Sequence, residues 1–284
     1  MTLLAAFSFA SCSSSEENGK QEEEKPDSGV VTKPEMKEQF YCNLADWTPD
    51  NVEFPAWHQG MAICDNYLFT FKTGGYVYIY NMPQRKFVNS FKIDTDNHCN
   101  SAFFSTEKYS PSSKFPMLYL TESVNNCNCE VYDITLEKAK KVQDIILRDH
   151  PEGSHGAGWV ADVARDRYLM VYDHDIYSFP LHVPSEQTVS FNLSSGTKIG
   201  TVSESGSAQA INVDNDYFYQ LGGVGDGGEN VTLYDLSNNK KFKFNLPRSN
   251  EPEGICTWNG HVYIGYAGAN SREFLIYQTD FVRK

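Results

Sequence analysis

The feature that most constrains the fold is a short pattern that recurs five times along the chain. In each occurrence a polar or small anchor is followed directly by an apolar segment with the character of a β-strand. Two or three further strand-like segments then follow, rich in Val, Ile, Tyr and Phe and separated by turn-forming residues. The repeats begin with HQGMAI at His58, HCNSAFF at His98, HGAGWV at His155, AQAINV at Ala208 and PEGICTW at Pro252. This pattern indicates one structural unit used five times.

Repeats of roughly 40 to 57 residues with four strands each are typical of propeller blades, which are small sheets arranged around a central channel. The sequence therefore predicts an all-β fold, a five-bladed β-propeller. Another all-β arrangement, such as a sandwich, is the alternative. The fifth repeat shows only three strand segments. We predict that QFYCNLADW, residues 39–47, supplies the missing strand and closes the ring, which protects the sheet edges.

Two segments within the repeats are less regular. LEKAKKVQ, which begins at Leu136, has a helix-like composition but lies between two strand segments, so we predict a turn there. VSFNL, residues 189–193, is predicted as the outer strand of the third blade.

The N-terminal segment predicts export. An apolar run of about eight residues is followed by small residues and Cys12, which resembles a bacterial lipoprotein signal whose cysteine becomes lipidated. An ordinary cleaved signal or an unstructured N-terminus are the alternatives. Residues 13–37 are polar and acidic and predict a disordered linker before a propeller at 38–284. Glu16 and Glu17 resemble the surface-export signal of Bacteroidetes lipoproteins. The resemblance implies a lipid anchor in the outer membrane and exposure at the cell surface.

The charge of the chain excludes some partners. The formal net charge is −13, and no basic stripe is present that could displace counterions from nucleic acid. Direct adhesion to an anionic membrane surface is disfavoured for the same reason, so we expect membrane contact through the lipid anchor only.

Six cysteines follow Cys12, and an exported protein meets an oxidising compartment, so some of them could form disulfides. The spacing does not choose among the pairings. Cys127 and Cys129 form a C-x-C pair without a second pair at zinc spacing, so buried thiols are an equal alternative. The six are Cys42, Cys64, Cys99, Cys127, Cys129 and Cys256.

The anchors are the candidate site. The first strand of each propeller blade lines the channel, so the residues before it lie at one mouth. We predict that six polar side chains converge there as a ligand-binding ring: His58, Gln59, His98, His155, Gln209 and Glu253.

Three interpretations of this ring stay open. The histidines His58, His98 and His155 could bind a divalent cation at the channel axis together with a carboxylate. The ring could instead form the floor of a small-molecule or glycan pocket, with Trp57, Trp159 and Trp258 stacking on sugar rings. The polar anchors could also hydrogen-bond between blades and hold water as part of the interior structure. No cofactor is certain from the sequence.

Catalysis is an alternative to binding. Hydrolysis of a glycan needs two carboxylates, and the EPEG run offers Glu251 and Glu253, so a hydrolase or lyase using this pair is the second hypothesis. A protein-interaction scaffold that uses the outer loops is the third. Further carboxylates near the expected mouth are Asp94, Asp96, Glu122 and Asp162. The glycine-rich run at residues 223–228 is not followed by a helix and is no phosphate-binding loop.

HQGMAI in the first repeat and EPEGIC in the fifth resemble the motifs that start the blades of a family of five-bladed propellers. That family includes teichoic-acid biosynthesis protein C, helveticin J and phage receptor-binding proteins. The resemblance implies a propeller that contacts a glycan or another component of the cell envelope. Five-bladed glycoside hydrolases of the arabinanase type are a more distant parallel in architecture.

Overall fold

A computed structural model of the protein describes residues 35–53, 58–95, 97–121, 127–151, 156–182, 188–202, 208–222, 229–268 and 273–282. These residues form β-strands, turns and three short 3-10 helices, and no α-helix occurs among them. None of the helical segments in this part of the chain has the length and apolarity needed to cross a membrane.

The strands, in chain order, are β1 (Glu35–Asn43), β2 (His58–Cys64), β3 (Tyr67–Lys72), β4 (Tyr76–Asn81), β5 (Lys86–Lys92), β6 (Ser101–Phe104), β7 (Leu118–Thr121), β8 (Cys129–Ile134), β9 (Ala139–Arg148), β10 (Gly156–Asp162), β11 (Arg167–Tyr172), β12 (Asp175–Pro180), β13 (Thr188–Asn192), β14 (Thr197–Thr201), β15 (Ala208–Val213), β16 (Tyr217–Gly222), β17 (Asn230–Asp235), β18 (Lys241–Asn245), β19 (Pro252–Trp258), β20 (His261–Ala267) and β21 (Phe274–Val282). The 3-10 helices are Leu44–Trp47, Val163–Arg165 and Leu193–Ser195.

The strands form five small sheets, which are the five blades of a β-propeller, so the predicted fold is confirmed. From the inside outward, blade one is β2-β3-β4-β5, blade two is β6-β7-β8-β9, blade three is β10-β11-β12-β14, blade four is β15-β16-β17-β18 and blade five is β19-β20-β21-β1. Consecutive strands within a blade run antiparallel. The helix-like stretch near Leu136 is a turn followed by strand β9, as predicted.

The hairpins within a blade follow from local turn chemistry. The β3–β4 connection contains Gly74 and Gly75, whose φ angles of +79° and +82° are values that side chains other than glycine rarely adopt. A Cβ on Gly75 would also lie 2.3 Å from the carbonyl oxygen of Ile93. The turn sequence therefore fixes the register of the two strands that follow the inner strand.

The ring is closed by the N-terminal strand. β1 pairs antiparallel with β21 and is the fourth strand of blade five. This confirms the prediction that an N-terminal strand closes the ring. β1 starts at Glu35, and residues Leu44–Trp47 of the predicted strand segment form a 3-10 helix instead. The Glu38 carboxylate, whose side chain is 3 % exposed, lies 3.1 Å from Nε of Arg248 and also accepts a hydrogen bond from the Tyr266 hydroxyl. An ion pair between residues far apart in sequence thus holds the closing strand in place.

One strand assignment is wrong. The VSFNL segment is not the outer strand of blade three, because β13 lies parallel to β9 on the outer edge of blade two. Its Phe191 ring stacks on Trp159 at 5.9 Å and packs against Phe179 at 5.0 Å, so β13 buries an aromatic side chain between blades two and three. The outer strand of blade three is β14, whose Gly200 lets the Tyr234 ring of blade four approach.

The six cysteines in the described part of the chain do not form disulfides with one another. Cys42, Cys99, Cys127, Cys129 and Cys256 are buried, and Cys64 is partly buried. Burial raises the pKa of the Cys64 thiol to about 12, so even this side chain is a poor nucleophile near neutral pH. The alternative of buried thiols that pack as small hydrophobic side chains is the one the structure shows.

Candidate functional site

The five inner strands surround the axis, and their first residues meet at one end, which we call the mouth. Four of these strands are irregular at this end, with register shifts at His58/Met61, Gly156/Gly158, Ala208/Ala210 and Pro252/Gly254. A bulge of this kind leaves a residue unpaired and re-aims its side chain. The bulged residues include Gln59, Gln209 and Glu253, and Asn100 directly precedes the inner strand of blade two.

Polar side chains from four blades are connected at the mouth. The Asn100 amide nitrogen lies 3.3 Å from Gln59 Oε1 and 3.3 Å from Gln209 Oε1. Gln209 in turn donates from Nε2 to Glu251 Oε1 at 2.7 Å. Asn100 is only 4 % exposed, and its Oδ1 accepts no hydrogen bond from any described residue. We call Gln59, Asn100, Gln209, Glu251 and Glu253 the polar ring.

The polar ring lies above a closed floor. Ser101 of blade two and Ile211 of blade four touch directly: the Ser101 hydroxyl accepts from the Ile211 nitrogen at 3.1 Å and lies 3.4 Å from its carbonyl oxygen. Gly158 fills the remaining space, because a Cβ there would lie 3.0 Å from both side chains. The inner strands of blades two, three and four are therefore in close contact directly below the polar ring.

Glu253 is the most perturbed titratable group of the polar ring. The residue is 2 % exposed, and its carboxyl group accepts no hydrogen bond from the described part of the chain. Burial, and to a smaller extent the neighbouring charge of Glu251, raises the pKa of Glu253 to about 9. The carboxyl group is therefore protonated at neutral pH and can donate a hydrogen bond.

His58 does not act as a member of the polar ring. Its imidazole packs among aromatic rings, 4.9 Å from Phe274 and 5.7 Å from Tyr78 between ring centroids, and the residue is 2 % exposed. Burial, helped by the charge of Lys72, lowers the pKa of His58 to about 3. The imidazole is therefore neutral near pH 7.

His98 lies outside the polar ring, and Asn100 takes the expected place. The His98 Nδ1 is 2.8 Å from the Thr73 hydroxyl, and the side chain is partly exposed beside the β3–β4 turn of blade one. The equivalence of His98 with His58 is wrong because β2 begins at His58, whereas β6 begins three residues after His98. Gln59, Gln209 and Glu253 are each the second residue of an inner strand, whereas Asn100 precedes β6, so aligning the strand starts would not have identified it from the sequence.

Only two of the three histidines of the predicted cation site belong to the described residues. His155 lies outside the described residues. Among the residues that the structure describes, no three His, Cys, Asp or Glu side chains are grouped as a metal site requires. His58 packs against Tyr78 and Phe274, and His98 lies against the Thr73 hydroxyl.

Trp159 and Trp258 do not lie at the mouth, which corrects the prediction for these two side chains. Trp159 is fully buried between blades two and three, where its Nε1 donates to the Cys127 carbonyl at 2.7 Å. Trp258 lies at the opposite end of β19 from Glu253, and its Nε1 donates to the Asp65 carbonyl at 2.5 Å. Trp57 falls outside the described residues.

The other predicted carboxylates do not join the ring. Asp162 ends β10, at the far end of the inner strand, and is buried between Arg165 at 3.1 Å and Arg167 at 2.8 Å. Asp94 is an exposed residue after β5. Asp96 and Glu122 lie outside the described residues.

No family model matches this chain, and no curated protein matches it.

Proposed function

We propose that the protein binds a small neutral polar ligand at the mouth of the propeller, a sugar unit of a glycan or another component of the cell envelope. The observation that carries this proposal is the polar ring, in which four blades bring amide and carboxyl groups together above a closed floor. Burying a polar atom costs free energy when the atom lacks a hydrogen-bond partner. Stability alone would therefore not favour bringing such groups together at one axis from strands far apart in sequence.

The chemistry of the polar ring suits hydroxyl groups. A sugar hydroxyl both donates and accepts, and the ring offers both functions: the protonated Glu253 donates, while Asn100 Oδ1 and the Glu251 carboxylate accept. Only Glu251 brings a formal charge at neutral pH. An anionic ligand would meet this carboxylate without a cationic partner in the ring, so a neutral ligand fits best.

The N-terminal segment adds a location to this proposal. Lipidation at Cys12 and export through the signal that precedes it would hold the propeller at the outer membrane, exposed at the cell surface where envelope glycans are found. The resemblance to the teichoic-acid biosynthesis protein C, helveticin J and phage receptor-binding propellers supports the same class of ligand.

A panel of neutral mono- and oligosaccharides, immobilised and probed with the full chain, tests the proposal. We expect at least one sugar to bind, and Asn100→Ala to weaken that binding at least tenfold, because it breaks the links to Gln59 and Gln209. Asn245→Ala, a matched change at an exposed position at the end of β18, should leave the affinity unchanged. Equal binding by the two variants would refute a site at the mouth.

Glycan hydrolysis is the second candidate, because Glu253 and Glu251 combine a carboxyl group held protonated with a neighbouring carboxylate. In this function Glu253 would protonate the leaving group and Glu251 would act as base or nucleophile. Glu253→Gln decides between the two: an enzyme loses turnover while it keeps the sugar bound, whereas a binding protein releases no reducing sugar before or after the change.

A further inference from the structure

We propose a second binding site at the end of the propeller opposite the mouth, for an organic cation: an amine on a short apolar stem. A cleft of about 510 Å³ opens there between blades four and five. This volume falls within the range of about 300–1,000 Å³ that is usual for small-molecule sites. It is formed by the β15–β16 turn, the β19–β20 turn and the last residues of β21.

The charge of the cleft favours a cation. Its lining contains Asp214, Asp216 and Asp280 and no lysine or arginine. Asp214 is held rigidly, since its Oδ2 accepts from the Tyr219 hydroxyl at 2.5 Å and its Oδ1 from the Tyr217 nitrogen at 2.7 Å. Asp214 therefore presents a fixed negative charge to the cleft, which a mobile surface carboxylate would not.

The carboxylates of Asp280 and Asp216 differ in whether they already have a partner in the protein. Asp280 Oδ1 already lies 3.0 Å from Nδ1 of His261. The Asp216 carboxylate makes no hydrogen bond to any residue that the structure describes, and it is exposed. Asp216 is accordingly the group that can form a direct ion pair with an ammonium group.

Aromatic side chains complete the walls of the cleft. Tyr217, Trp258 and Phe281 line it and are each partly exposed. Trp258 is fixed by its hydrogen bond to the Asp65 carbonyl in blade one. Aromatic faces beside carboxylates attract cations through the ring quadrupole, and they do so more strongly where water is partly excluded.

A smaller cavity of about 260 Å³ lies beside the cleft, and the two share Asp214 and Thr257. Its walls are largely apolar and include Ala62 and Phe103, which suits the stem of an amine. Among the polar side chains that line it, Asn212 is 4 % exposed, donates from Nδ2 to the Ile255 carbonyl at 3.3 Å, and has no described donor for its Oδ1. A ligand with a hydrogen-bond donor at the far end of its stem matches this acceptor.

The cleft is lined by residues at the far ends of β15 and β19, whereas the polar ring lies at the starts of these strands. The second site therefore stands independently of the proposed function, and changes at one end should not alter binding at the other.

Titration of the full chain with 4-amino-1-butanol at low salt, followed by NMR or calorimetry, tests the inference. 1,4-Butanediol is the matched control, because it has the same stem and no charge. We expect the amine to bind at least fivefold more tightly than the diol, and Asp216→Asn to weaken the amine by about three- to fivefold. Asp173→Asn removes an equivalent charge at a turn between β11 and β12, and it should have no effect.

Three outcomes would overturn the inference. The diol could bind as tightly as the amine, Asp216→Asn and Asp173→Asn could weaken the amine equally, or Asn100→Ala at the mouth could abolish amine binding. The first result would mean that the charge of the ligand does not contribute to binding. The second would mean that only the net charge of the chain attracts the amine, and the third would mean that the amine binds at the mouth.

Discussion

Replacing Glu253 by glutamine should stabilise the protein at neutral pH. Glu253 is 2 % exposed, and burial raises its pKa from 4.5 to about 9. In the unfolded chain the carboxyl group ionises near pH 4.5, while in the folded chain it stays protonated up to about pH 9. Folding must therefore take up a proton throughout this interval, and the free energy of unfolding falls as the pH rises through it.

The size of the effect follows from the shift. Each pH unit between the two pKa values costs about 1.4 kcal/mol. Between pH 4.5 and pH 7 the loss reaches about 3 kcal/mol, and it stops growing above about pH 9. Glutamine has the same shape and no charge, so Glu253→Gln should raise the free energy of unfolding by about 3 kcal/mol at pH 7, or the melting temperature by about 6–12 °C.

Urea unfolding of both proteins at pH 4.5, 6, 7 and 8 measures this difference. The curves should coincide at the lowest pH and separate steadily above it. Glu251→Gln is the matched control, since Glu251 is only partly buried, and its variant should show a much smaller dependence. If Glu253→Gln were equal to or less stable than the natural protein at pH 7, with a gap that did not change with pH, the conclusion that Glu253 is protonated would be refuted.

Three further predictions concern the fold. Arg248→Ala leaves the buried Glu38 carboxylate without its guanidinium partner and should lower the free energy of unfolding by about 3 kcal/mol in urea; an unchanged midpoint would mean that the pair does not hold the closing strand. Gly60→Ala places a Cβ 2.6 Å from the Cys99 carbonyl oxygen, so the melting temperature should fall by at least several degrees. Of the cysteines in the propeller, only the partly buried Cys64 should react with a thiol reagent before denaturation, and slowly, because burial raises the pKa of its thiol; rapid labelling of several would contradict the packing.

The propeller fold could be predicted because the same order of strand and turn segments recurs five times along the sequence. Each repeat contains short strand segments rich in Val, Ile, Tyr and Phe separated by turn-forming residues, and the fifth lacked one strand that residues 39–47 could supply. The placement of strand β13 on blade two could not be predicted. VSFNL has the composition of any outer strand, and its placement on blade two depends on the contact of Phe191 with Trp159 across two blades.

The candidate site was predictable in part. The sequence placed Gln59, Gln209 and Glu253 at the mouth because each lies at the start of an apolar inner strand, and the structure has a register shift at each of these positions. The histidines were predicted as site residues because of their residue type. Which side chain lies near the axis depends instead on the position of the residue in its strand. His58 is one residue too early and packs between aromatic rings, and His98 is two residues before Asn100.

The most direct test of the account is NMR mapping of a sugar that the panel selects onto the full chain. If the polar ring is the binding site, the amide signals that move first on titration belong to Gln59, Asn100, Gln209 and Glu253, and the same signals stay still in Asn100→Ala. Shifts confined to the outer edges of the blades, or to the cleft around Trp258, would contradict a ligand site at the mouth.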